Sequence, residues 1–96
     1  MINEILNLEQ KYKANGYYHE SNDILLIQGS IPVMVSAPHS VKHLRNESIK
    51  NEDMLTGGIA EYLGAITGCH VITNLSSLLD PNYDSDSSYR KSYLRI

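Results

Sequence analysis

The stretch Pro32-Val33-Met34-Val35-Ser36-Ala37-Pro38-His39-Ser40 constrains this chain more than any other. Residues 33–36 are a short, largely apolar run between Gly29 and Pro38, which suits a buried strand better than a helix. Pro38 ends the strand, because proline cannot donate to a sheet ladder. The next residue is His39. In open α/β sheets, ligands bind in the crevice at the carboxyl ends of the strands. A histidine delivered there, ahead of a long polar loop, is the leading functional clue in the sequence.

The segments around that strand predict an α/β layout. Residues 2–13 place Ile2, Ile5, Leu6, Leu8 and Tyr12 at mostly helical spacing, and Asn15-Gly16 is a stop signal. This helix reads as one packed on the sheet. Two short extended pieces, 17–19 and 24–28, are split by the turn cluster Ser21-Asn22-Asp23. The simplest arrangement is a small antiparallel hairpin that feeds 31–37 as the central strand. Residues 38–52 read as a loop of about fifteen, a length usually associated with function.

A helix over 53–67 follows, with Leu55, Ile59, Tyr62, Leu63 and Ile66 on one face and Gly68 at its close. Gly57-Gly58 in its first turn lowers helix propensity. They allow either a close approach of backbone or ligand, or tight packing on the sheet. Residues 69–73 read as a second parallel strand, so 33–73 form one right-handed βαβ unit. Asp80-Pro81-Asn82-Tyr83-Asp84 then leaves the carboxyl end of that strand, on the same edge as His39. A last helix is expected over 88–96. The expected fold is α/β: a small mixed sheet with a parallel βαβ unit flanked by helices, in a single domain over 1–96.

Composition narrows the function classes. At 96 residues the chain builds one small domain with little stability in reserve. A net charge of −3 argues against nucleic-acid and anionic-membrane partners, which favour a clustered basic surface. A single cysteine, Cys69, excludes an intrachain disulfide and fits a reducing compartment. Its place at a strand start reads as a buried small hydrophobe. Residues 1–7 carry neither a basic leader nor a long apolar run, so a cytoplasmic location is expected.

The chemistry readable from the residues is partial. His39 with Glu52 and Asp53 flanks a loop that can fold them together. Catalytic zinc commonly takes nitrogen ligands with a carboxylate and keeps an open position. His43 would share a face with His39 only in a helix, which Pro38 disfavours. A hydrogen-bonded loop histidine is the competing reading. Lys42, Glu47 and Lys50 fit a solvated loop. Neither Ser36 nor Ser40 lies in a Gly-x-Ser-x-Gly elbow, and there is no glycine-rich phosphate loop of useful spacing.

The run Val33-Met34-Val35-Ser36-Ala37-Pro38-His39-Ser40-Val41, then Arg45, then Asp53-Met54-Leu55-Thr56-Gly57 opening a helix, resembles the N-formylglutamate amidohydrolase-like family. Asp80-Pro81-Asn82-Tyr83-Asp84 resembles a segment of its bacterial members, and the likeness runs from about Tyr18 onward. The resemblance implies the N-terminal portion of a phosphorylase/hydrolase-like fold, incomplete in this chain. It implies a zinc-dependent hydrolase of amide bonds other than ordinary peptide bonds, acting on a small N-acyl amino acid or peptide-like substrate. By that correspondence His39 is the first zinc ligand. Asp53 stands where the family shows a glutamate three residues before the threonine and is the carboxylate ligand, with Glu52 beside it as the alternative. Arg45 would hold a substrate carboxylate or anchor the loop, and Thr56 would cap the helix or steady the site.

The family's Asp-Leu-His-Gly-like strand end, which carries the second histidine ligand, has no counterpart in the sequence. His70 is expected at the opposite end of its strand. The expectation is therefore a truncated zinc hydrolase with an incomplete ligand set, inactive alone. The alternative is a non-catalytic interaction module that forms a homo-oligomer or binds a partner through an exposed sheet edge.

Overall fold

A computed structural model describes residues 1–81 and Tyr89. Helix α1 (Ile2–Lys13) continues into one 3-10 turn (Ala14–Tyr17), followed by β1 (Asp23–Ile27), β2 (Met34–Ala37), β3 (His43–Arg45), β4 (Ser48–Lys50), α2 (Thr56–Thr67) and β5 (His70–Leu75). Strands β1, β5 and β2 form a three-stranded sheet in that order, and β3 with β4 forms a separate hairpin. The β2–β5 pair is parallel, from Met34↔His70 to Ala37↔Thr73. The β1–β5 pair is antiparallel, from Asp23↔Leu75 to Ile27↔Val71. The fold is α/β with a mixed sheet, and β2–α2–β5 is the expected βαβ unit. Apart from Tyr89, the helix expected over 88–96 lies outside the described residues.

Three local expectations are corrected. No strand forms at 17–19, where Tyr17 closes the 3-10 turn, so no hairpin precedes β2; β1 pairs with the last strand instead. The central strand is β5 and not β2. Val71, Ile72, Thr73 and Asn74 are all buried, so β5 has two covered faces and takes the position with two covered edges. Finally, the expected loop 38–52 contains the β3–β4 hairpin. Its turn residues Asn46 and Glu47 both have positive φ, 51° and 66°. Such a turn usually announces itself with glycine at its second position, and Glu47 hides it.

Helix α2 begins at Thr56, three residues later than expected, because Leu55 adopts a left-handed φ of 71°. Its first turn has no side-chain cap of its own. Glu9 of α1 supplies one, accepting from Leu55 N–H at 3.0 Å and Gly58 N–H at 2.8 Å. A buried carboxylate there satisfies donors that the helix leaves open and matches the positive end of its dipole. Gly57 and Gly58 permit this contact. A Cβ on Gly57 would stand 2.6 Å from the Tyr12 ring, and one on Gly58 2.7 Å from the Ile5 carbonyl oxygen. The close approach is therefore to α1.

The core has two centres. Ala37, Ala60 and Val71 meet under α2 with Val35 against them. Tyr12, Tyr17 and Val41 cluster beside Leu75. The phenol of Tyr12 donates to Glu61 Oε2 at 2.6 Å and lies 2.7 Å from Thr73 Oγ1, while Lys11 Nζ neutralises Glu61 at 2.6 Å. Tyr17 donates to Glu9 at 2.7 Å. Burial pushes both phenols above the ordinary tyrosine range, followed by their carboxylate partners, and keeps them as donors. Breaking one such buried bond costs about 1–3 kcal/mol. On the sheet's other face, Tyr89 is buried with its hydroxyl on Ile72 O and Ser36 Oγ. Among the described residues no helix is long and apolar enough to cross a membrane.

Candidate metal centre

The chain leaves β2 through the turn Pro38-His39 and is pinned at once. Ser40 Oγ donates to Asn74 O at 2.7 Å and accepts from Asn74 N–H at 2.9 Å, tying this turn to the carboxyl end of β5. Val41 enters the tyrosine core, and Lys42 N–H donates to Tyr17 O at 2.8 Å. With 40–42 held, His39 and His43 emerge on one side of the pinned stretch. Their rings stack in parallel, with centroids 3.9 Å apart and planes 6° apart. This closeness needs no helix, so the objection drawn from Pro38 does not apply.

The third member comes from the far side of β5. Asn74 folds the following segment into a tight turn, its side chain bonding Ser76 O and Ser76 N–H. Ser77 and His19 exchange two hydrogen bonds, each through the backbone N–H of one residue. The segment then returns Asp80, fully buried, to His39: Oδ1 lies 3.0 Å from His39 Nε2. His39, His43 and Asp80 each offer one ligand atom, and these atoms all lie within 4.8 Å of one another. The cluster can hold a metal ion.

The donor chemistry fits such an ion. The His43 ring stands 3.3 Å from Val41 O through Nδ1, which leaves Nε2 as the lone-pair nitrogen. Burial, and then the neighbouring His39, hold its pKa below the ordinary 6.5, so it is the neutral, ligating form at pH 7. His39 Nε2 and Asp80 Oδ1 are at hydrogen-bonding distance, 3.0 Å, so a small separation would bring them to the spacing of about 3.3 Å that two ligands have around tetrahedral zinc.

The residues singled out from sequence are distributed around this cluster. His39 is in it. Asp53 stands on the outer side, its Oδ2 3.9 Å from His39 Nδ1, two-thirds exposed, with its N–H on His39 O at 2.8 Å. Glu52 is engaged by Lys42 at 2.8 Å. Burial raises the Glu52 pKa, but Lys42 and a backbone hydrogen bond outweigh that and bring it below the ordinary value. Arg45 follows His43 by two on β3 and so shares its face; its Nε is 3.8 Å from Asp80 Oδ2. Thr56 Oγ1 donates to Asp53 O at 2.7 Å and braces the turn into α2. His70 lies at the opposite sheet end, accepting from Gly29 N–H at 2.9 Å.

The two members that sequence reasoning did not select are His43 and Asp80. A signal for Asp80 existed in its topology, since the acidic turn after β5 leaves by the same edge as His39. For His43 the signal would have been the hairpin, which its turn residues conceal. No family profile, curated protein or solved structure matches the chain.

Proposed function

We propose that the chain is a zinc-dependent hydrolase of amide bonds, of the N-formylglutamate amidohydrolase-like kind. The observation that carries this reading is the convergence of two imidazoles and one buried carboxylate at the carboxyl edge of the sheet. Two nitrogens and one oxygen are the donor set of many hydrolytic zinc sites, with a further position left for water or substrate. Zinc in that position supplies a Lewis acid that activates water and polarises an amide carbonyl.

The chain's own residues do the positioning. His39 Nε2, His43 Nε2 and Asp80 hold the ion. Val41 O maintains the His43 tautomer, and Asp53 sets a negative charge 3.9 Å from His39 Nδ1. Arg45, half exposed on the face of β3 that bears His43, presents a guanidinium fork to the carboxylate of a small N-acyl amino acid. In this reading His43 supplies the second nitrogen that the resemblance alone left missing.

The test is zinc stoichiometry by equilibrium dialysis, together with release of amino acid from N-formyl and N-acetyl amino acids. One zinc per chain, lost in both His43→Ala and Asp80→Asn, is expected, with hydrolysis above that of free zinc. Binding that ignores both substitutions removes the proposed site. Zinc binding without hydrolysis refutes the catalytic assignment and leaves the metal centre standing.

A further inference from the structure

Two surfaces that no other described strand or helix covers adjoin on this molecule. The first is the outer edge of β2. His70 N–H donates to Val33 O, so by strand alternation Val35 and Ala37 also turn their backbone groups toward β5. Met34 and Ser36 turn theirs to the other side, where no strand of the described residues lies. Exposed edges are normally blunted by lysine, proline or a bulge. None occurs within Met34–Ala37, and no charged residue occurs between Asp23 and His39.

The second surface is on α2, which lies over both β2 and β5. Ala60 and Gly64 face the sheet, while Gly58 and Glu61 face α1. Ile59, Leu63 and Ile66 form the third face and are 41%, 36% and 60% exposed. A helix apolar all round is normally covered all round. The one charge on α2 is Glu61, buried against α1.

We infer that this combined surface closes on a second copy of the chain, around a two-fold axis at Val35. Antiparallel pairing of β2 with its copy sets Val35 opposite Val35 and joins the outward backbone groups of Met34 to those of Ser36. The same operation positions the helices. Paired strands lie about 4.8 Å apart, and α2 runs between β2 and β5, so the two α2 axes fall about 10 Å apart, within the range of packed helices. Ile59, Leu63 and Ile66 of each copy then face one another with no charge opposed to charge. A lone peptide strand would cover the edge and leave this stripe in water, so the second copy is the occupant that matches both. The two His39 clusters end up at opposite ends of the joined sheets, each with its own three ligands. The inference therefore stands apart from the metal reading.

Sedimentation of the 96-residue chain across a concentration series tests it. A reversible dimer is expected. Leu63→Glu places like charges at the two-fold and weakens the dimer by roughly tenfold or more. Met34→Pro removes an outward N–H from each copy without touching the bonds to β5, and has an effect of roughly the same tenfold size. Ile2→Glu, exposed on α1, leaves association unchanged, and circular dichroism checks that every variant is folded. Oxidation of Val35→Cys yields a covalent dimer, whereas Val33→Cys, set opposite Ala37, does not; native Cys69 is buried and does not interfere. A chain monomeric at all concentrations overturns the inference. So does a dimer indifferent to both Leu63→Glu and Met34→Pro, or one that cross-links as readily through Val33→Cys as through Val35→Cys.

Discussion

His39 and His70 stand at opposite ends of the same parallel strand pair and are used in opposite ways. At the amino end, the structure is backbone against backbone. Ser30 N–H and Ile31 N–H both donate to Gly68 O, at 2.7 and 3.3 Å, and His70 Nδ1 serves as one more acceptor for the Gly29 N–H. At the carboxyl end, side chains face side chains: His39 stacks on His43, and Asp80 reaches its Nε2. The residue type does not determine which role a histidine takes. What its ring nitrogens face does. A ring whose nitrogen is occupied by a main-chain N–H is structural, whereas a ring that shares space with another ring and a buried carboxylate has atoms to offer a ligand.

This contrast can be broken at either end. The largest effect is expected from Gly29→Ala. A Cβ there would stand 2.2 Å from Gly68 O and 2.4 Å from the Cys69 carbonyl carbon, and since main chain cannot yield as a side chain does, denaturant titration should show a loss of about 3 kcal/mol. The cluster of His39, His43 and Asp80 should be left as it is.

Next in size is the stabilisation by zinc that the proposed centre predicts. At a free concentration about a hundred times the dissociation constant, a ligand specific to the folded state adds about 2.7 kcal/mol. Thermal unfolding with and without zinc should show that gain in the wild type and in His70→Ala, and lose it in His43→Ala and Asp80→Asn. Equal loss in His70→Ala would erase the distinction between the two ends.

His70→Ala itself should cost about 1–2 kcal/mol, the penalty for stranding the Gly29 donor. His70→Asn, whose side-chain oxygen can accept that bond, should recover most of it in the same titration.

The smallest effect concerns pH. The His43 pKa is depressed below 6.5, by burial first and by His39 second. The unfolded chain therefore takes up this proton at a higher pH than the folded chain does. Stability from this group is complete above about pH 6.5, falls as pH drops below it, and levels off once the folded value is passed. Metal-free denaturation curves between pH 5 and 7.5 should show that slope, and His43→Gln should flatten it.

Local pattern made much of this chain legible. The spacing of Ile5 and Tyr12 predicts α1, and Asn15 and Gly16 do adopt positive φ at its end. Pro32 and Pro38 bracket β2, and Gly68 closes α2 with a φ of 80°. Pattern failed where two distant segments decide the outcome. That β5 takes the centre depends on both of its faces being covered, one by α2 and the other by the buried Tyr89, whose hydroxyl reaches Ile72 O. That Asn46-Glu47 turns a hairpin depends on a register which no glycine advertises.

By itself, then, the sequence determined the parallel βαβ unit and the delivery of His39 to its carboxyl edge, because strand and helix periods and proline stops act over a few residues. Only the tertiary structure decided which groups meet His39 there. Ser40 bonded to Asn74, Lys42 bonded to Tyr17 and the turn built by Asn74 bring His43 and Asp80 to it. The first two of those ties join residues 34 and 25 positions apart, where spacing along the chain carries no information about distance in space.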